Sequence, residues 1–213
     1  MLRRKTRIKN KVGSLTKLIK RGPFNIFLEN AYYKKRGKPW QKAVNLWNRR
    51  PGGFSKLKDA PEGTSVFLHT HNPAGSSIGG PGRMDVLIAF QGFRTGKYEI
   101  FGVSPVIGLR GKEMGRVFLR PTAETKNIPY TDEYAQELNE KFEIIEGSLF
   151  DSAFHNMESG IDPPKEAGDF FKLREIAVAK FLIKELKLKM RAVPMKGYRF
   201  NEERWRFEKI RKK

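Results

Sequence analysis

The chain has 213 residues, 43 Lys+Arg against 23 Asp+Glu, a formal net charge of +20 and no cysteine. Without Cys there can be no disulfide staple, thiolate zinc site, iron–sulfur cluster or Cys nucleophile. The longest apolar run, Val86–Phe90, is far below the roughly 18–20 residues that cross a bilayer.

Charge is sorted along the sequence. Residues 1–58 hold 18 Lys+Arg and one acid, Glu29, a net of +17; residues 59–170 hold 10 Lys+Arg and 17 acids, a net of −7; residues 171–213 hold 15 Lys+Arg and 5 acids, a net of +10. Basic ends around an acidic middle fit a protein that holds a polyanion at its ends. The expected organisation is a basic helical or extended arm over 1–58, an α+β body over 59–193 and a basic C-terminal tail over 194–213.

In chain order, Ile8, Val12, Leu15 and Ile19 recur at helical spacing, and Ser14 is placed to cap Leu15–Lys20 before Gly22-Pro23. The same stretch, rich in Arg and Lys and free of acids, also resembles a mitochondrial transit peptide; it is read here as a retained arm. Phe24–Tyr33 and Trp40–Asn48 carry apolar residues at helical spacing and complete an arm of three short helices. Ser65–His69 reads as a strand, residues 72–83 as a Gly/Pro/Ser loop, Met84–Gln91 as a buried strand and Lys97–Val103 as its partner across a Gly92–Gly96 hairpin. Arg116–Arg120 adds a further strand. The expected fold class is therefore α+β, with a small, mostly antiparallel sheet and packed helices.

Thr131 is placed to cap a helix through about Glu146, with Tyr134, Leu138, Phe142 and Ile145 on its buried side. Residues 147–168 read as a loop. Asp169 then caps a helix to Met190, with Leu173, Ile176, Ala177, Lys180, Phe181, Lys184 and Leu188 tracing one side. Asn201 caps a short terminal helix through about Arg211.

Three constellations carry possible chemistry. The basic residues of the ends can neutralise phosphates and release counterions: Arg3, Arg4, Lys5, Arg7, Lys9, Lys11, Lys34, Lys35, Arg36, Arg49 and Arg50 in the arm, Arg83 beside the Gly-rich loop, and Arg204, Arg206 and Arg211 in the tail. Tyr32, Tyr33, Trp40 and Trp47 could stack on bases, although core packing is the commoner use of such aromatics. The Gly-rich loop lacks both the nucleotide-binding and the dinucleotide fingerprint and reads as structural. His69-x-His71 places two imidazoles on one side of a strand, the beginning of a metal site. The only other histidine is His155, with Asp151 and Glu158 nearby in sequence, so ordinary structural histidines, no metal and no cofactor are expected. Glu133, Glu137 and Glu140 follow the spacing of a solvated helix face, and no hydrolase or zinc-protease motif is present.

The layout as a whole resembles the accessory proteins of mitochondrial ribosomes, a class that implies a small folded body with basic extensions ordered by rRNA. Val12-Gly13-Ser14 with Leu18-Ile19-Lys20-Arg21-Gly22, then Lys38-Pro39-Trp40 and Pro51, resembles the start of a mitochondrial small-subunit protein family. The spacing departs from that family's, and no residue roles are carried over. The leading expectation is a non-catalytic structural component of a ribonucleoprotein, a mitochondrial ribosome in the matrix, that binds rRNA and neighbouring ribosomal proteins and has no transmembrane segment or small-molecule substrate. The alternatives are an accessory subunit of a mitochondrial inner-membrane complex, and a small metal-dependent RNA-processing enzyme centred on His69, His71 and His155.

Overall fold

The structure, a computed structural model, describes residues 12–20, 30–43, 60–71, 79–107, 112–129, 131–158 and 167–210. In chain order the elements are α1 (Val12–Lys20), β1 (Ala31–Lys35), β2 (Trp40–Lys42), β3 (Thr64–His71), α2 (Arg83–Arg94), β4 (Ile100–Ile107), β5 (Lys112–Glu113), β6 (Gly115–Arg120), α3 (Ala123–Asn127), α4 (Asp132–Glu158), α5 (Ala167–Glu185), β7 (Lys189–Pro194), β8 (Tyr198–Asn201) and β9 (Arg206–Lys209).

The fold is α+β around one mixed sheet, ordered β2-β1-β3-β4-β6-β7, with β5 also paired to β4. Every pairing is antiparallel except β3 with β4, which run parallel and are joined through α2. β8 and β9 form a separate antiparallel hairpin. The parallel pair corrects the expected hairpin over residues 84–103. Met84–Gln91 is helical because its apolar residues follow the helical period: Val86, Ala89, Phe90 and Phe93 are buried on one face. Gly92 lets that helix approach the strand that follows, since a Cβ there would lie 2.0 Å from the Tyr98 ring.

The two faces of the sheet carry different layers. Phe67, Phe101, Val103, Val117 and Leu119 point towards α2, α4 and α5, where Leu138, Phe142, Val178, Ala179, Leu182 and Leu186 complete the main core. Tyr32, Leu68 and Val106 point the other way, under Leu15 and Ile19 of α1. That second layer also holds a buried ion pair. Arg116 donates to Glu113 through Nε and Nη2, each at 2.8 Å, and Ser104 Oγ and Thr16 Oγ1 donate to the same carboxylate at 2.8 and 2.7 Å. Every oxygen of Glu113 is satisfied, which is what makes a buried charge tolerable.

Other expectations shift at their ends. Among the described residues the arm gives α1 and the hairpin β1–β2, so Tyr32, Tyr33 and Trp40 are strand residues rather than helical ones. Thr131 does cap α4, accepting from Tyr134 N at 3.2 Å, but the helix runs on to Glu158 through most of the expected loop. In α5 Asp169 lies inside the helix instead of capping it, and the buried face is Val178, Ala179 and Leu182, continued by Leu186 in the turn beyond. α5 ends at Glu185 in a C-terminal turn. Leu188 N reaches Ile183 O at 2.9 Å, Lys187 N reaches Lys184 O at 3.1 Å, and Lys187 takes the left-handed φ of 52°. The chain is then released into β7 instead of continuing to Met190. Asn201 ends β8; its Oδ1 accepts from Arg204 N at 3.0 Å, closing a hairpin turn rather than starting a helix.

Candidate metal centre

The last residues of β3 are His69, Thr70 and His71. Alternation along the strand turns both imidazoles to the side of the sheet that faces α2, while Thr70 turns to the other side and receives Asn30 N at 2.9 Å. The chain returns from the end of β3 and enters α2 at Arg83. Asp85, three residues beyond Gly82, accepts from Gly82 N at 2.7 Å, so its carboxylate folds back over the first turn of the helix. It points at the two histidines.

Three side chains thus converge. His69 Nε2 lies 3.0 Å from Asp85 Oδ1, His71 Nε2 lies 3.1 Å from Asp85 Oδ2, and the two Nε2 atoms are 3.1 Å apart. The side chains are nearly enclosed, at 7%, 8% and 13% exposure. His69 also packs on the Phe101 ring, with centroids 5.4 Å apart, which fixes its plane. Ligand atoms held about 2.0–2.1 Å from a tetrahedral zinc lie about 3.3 Å from one another. The two imidazole nitrogens match that figure to within a few tenths of an ångström; each faces a different Asp85 oxygen, and one ligand atom from each of the three residues lies within 4.8 Å of the others. In this dry place a cation would take the lone pairs that the three groups share in hydrogen bonds in its absence.

Burial alone would raise the Asp85 carboxyl. The His71 and His69 imidazoles, through charge and hydrogen bonds, outweigh it and hold the group well below the usual carboxylate range. Asp85 is therefore an anion at neutral pH and needs no deprotonation before binding a metal.

The entry to α2 is clamped from the far end of the chain. Trp205 Nε1 donates to Pro81 O at 2.9 Å. The indole lies against Gly80, where an added Cβ would meet Trp205 Nε1 at 2.6 Å, and Gly79 sits equally close to the Arg206 backbone. Trp205 is buried and takes a φ of 52° in the turn of the β8–β9 hairpin. Glu175 of α5 adds a second restraint, accepting from Arg83 N at 3.1 Å. Together these contacts fix where the first turn of α2, and hence Asp85, sits relative to β3.

The pair His69 and His71 is legible in the sequence, and the structure supplies the third ligand that is missing there. It is Asp85, at the start of α2; Asp151, His155 and Glu158, the partners nearest in expectation, belong to α4. Asp85 is hidden in the sequence because its segment reads as a strand. The signal that could have found it is Asp three residues after Gly82, at the start of an apolar stretch of helical period.

The basic residues expected to bind RNA are dispersed. Arg3, Arg4, Lys5, Arg7, Lys9, Lys11, Arg49, Arg50 and Arg211 lie outside the described residues. Lys34 and Lys35 are in β1, and Arg36 donates to Glu99 at 2.6 Å on the surface. Arg83 is the first residue of α2 and lies over the Phe142 ring at 5.1 Å. Arg204 and Arg206 both reach Glu208 at 3.4 Å. Among the described residues no helix is long and apolar enough to cross a membrane.

Comparison with known protein families, with curated proteins and with solved structures found no match.

Proposed function

We propose that the chain is a metal-dependent hydrolase built on a single divalent-cation centre of His69, His71 and Asp85. The observation that carries this reading is the convergence of two imidazole nitrogens and one carboxylate, 3.0–3.1 Å apart, in a nearly enclosed place. Two nitrogens and one oxygen form a donor set of zinc type. Structural zinc sites are closed by four protein ligands and are commonly rich in Cys; three ligands with one position left over is the pattern of a catalytic site. At such a position zinc activates water near neutral pH and polarises a carbonyl or phosphoryl oxygen. The protein's part is to hold the imidazoles in place through β3 and Phe101, to keep Asp85 ionised, and to keep α2 in register through Trp205 and Glu175. This places catalysis ahead of the non-catalytic reading expected from composition. Metal-loaded protein should hydrolyse an activated ester, amide or phosphodiester, with the activity abolished by a chelator, restored by zinc and lost in His71→Ala. Equal turnover by the chelated protein would remove the proposal.

Charge supports a second reading, the ribonucleoprotein component, because exposed cations with no ion-pair partner among the described residues remain on β7. Retention of the chain on large particles that is abolished by RNase would support it, and retention after RNase would count against it.

A further inference from the structure

The sheet has a second place where chemistry gathers, on the face opposite the metal centre and towards the other end of β3. Strand registers fix its membership. Trp40 pairs with Lys34, Lys34 with Val66, and Val66 with Ile100. Two residues along β4, Gly102 pairs with Phe118, and Phe118 pairs with Arg191 on β7. Paired residues on neighbouring strands share a face. Trp40 and Phe118 therefore lie on the same side, and both are half-buried at the edge of the layer under α1. Beside Phe118 on β6 and β7, and across the sheet from Trp40, Arg120 stands directly opposite Lys189.

That last pairing is unfavourable as it stands. Like charges directly opposite on adjacent strands destabilise a sheet. Arg120, Lys189 and Arg191 are all exposed, and none forms an ion pair with a carboxylate among the described residues. Lys42, paired with Tyr32, brings a cation to the opposite rim on the same face. The face thus carries Trp40 and Lys42 at its β2 edge and Phe118 with the cations Arg120, Lys189 and Arg191 at its β7 edge, with α1 packed over the strands between them. Residues 1–58 contain a single acid, Glu29, against 18 Lys+Arg.

We infer that this face docks a single strand of nucleic acid, its phosphates held by Arg120, Lys189 and Arg191 and a base stacked on Trp40. Sequence-tolerant binding of single strands combines these two parts, a cationic track and aromatic rings on which any base can lie. A duplex offers the phosphates but keeps its bases stacked inside, so it would use only half of the surface. The inference is independent of the metal centre and gives the ribonucleoprotein reading a place on the fold. A chain that binds a strand here but never associates with large particles would remove that reading and leave this surface standing.

The test is fluorescence anisotropy of a labelled oligouridylate of about 12 nucleotides with the full chain, titrated across a range of salt concentrations. The Arg120→Gln, Lys189→Gln double variant should bind about tenfold more weakly and lower the log–log salt slope by about 1.4, which is about 0.7 for each phosphate of a single strand left without its cation. A control of equal charge change, Lys184→Gln with Lys196→Gln, should stay within about twofold on the reading that the contacts are local. Trp40→Leu should weaken binding about tenfold, and Trp40→Phe should recover most of it. Because Trp40 also touches the layer under α1, each Trp40 variant is paired with a thermal melt. The exposed double variant should melt no lower than the parent, since it removes a repulsion. Binding by the double variant equal to the control, an unchanged slope, a duplex bound as tightly as the single strand, or binding to anionic vesicles without binding to the oligonucleotide would each overturn the inference.

Discussion

Asp85→Asn separates a metal centre from a merely structural cluster, because the amide keeps the shape and changes only the charge. In the metal-free protein its oxygen can still accept from Gly82 N, and from His71 on the same side, while its NH2 group faces His69 Nε2, a possible acceptor. The fold should therefore survive. Metal binding should weaken sharply, since the anionic ligand is gone. Zinc at 1,000 times its dissociation constant stabilises the parent by about 4.1 kcal/mol. For a chain of this size that corresponds to a rise in Tm of about 8–16 °C. Losing one charged partner at about 2.7 kcal/mol is a hundredfold in affinity. At the same zinc concentration the variant then gains only about 1.4 kcal/mol, or about 3–6 °C. Differential scanning calorimetry of both proteins with and without zinc reads this directly. Equal shifts in the two proteins, or no shift in the parent, would refute the reasoning.

Trp205→Phe removes the indole donor from the buried Pro81 carbonyl and should destabilise the protein by about 1–3 kcal/mol in urea titration; an unchanged midpoint would mean that the clamp on the entry to α2 carries no energy. Lys187→Gly relieves the left-handed φ of 52° at the end of α5 and should stabilise by about 1 kcal/mol, whereas a loss of stability would show that the Lys side chain has a packing role. Burial, with a smaller contribution from Glu113, pushes the Tyr32 hydroxyl up from 10.0 to about 12. A phenol kept neutral by folding contributes stability that is complete below its unfolded value near 10 and is lost as pH rises to about 12, about 2.7 kcal/mol in all. Denaturation followed across that window should show a shallower decline in Tyr32→Phe, and parallel curves would contradict the assignment.

Much of the fold was written locally, and what was missed was written in tertiary contacts. The α1 stripe of Leu15 and Ile19 and the α4 stripe of Leu138 and Phe142 follow the helical period and are buried as expected. The segment from Met84 to Gln91 has two periods in competition. Its run of Val, Leu, Ile and Phe suits a strand, while Val86, Ala89, Phe90 and Phe93 suit a helix, and only packing against α5 decides between them. That single ambiguity hid Asp85 and with it the candidate metal centre, although the two histidines were plainly placed on one face. The C-terminal residues misled for a different reason: Lys-rich sequence after a helix reads as more helix, but the left-handed turn at Lys187 frees Lys189–Pro194 to join the sheet beside β6. The clamp by Trp205 on Gly80 and Pro81 joins residues more than a hundred positions apart and has no signature in either stretch alone.

The most direct test of the metal centre is zinc content combined with K-edge X-ray absorption on the purified chain. The expected result is about one zinc per chain with imidazole nitrogens and oxygen at about 2.0–2.1 Å, falling below about a tenth in His71→Ala. A folded parent that takes up no zinc, cobalt or other divalent ion, or one that binds zinc equally after His71→Ala, would contradict it.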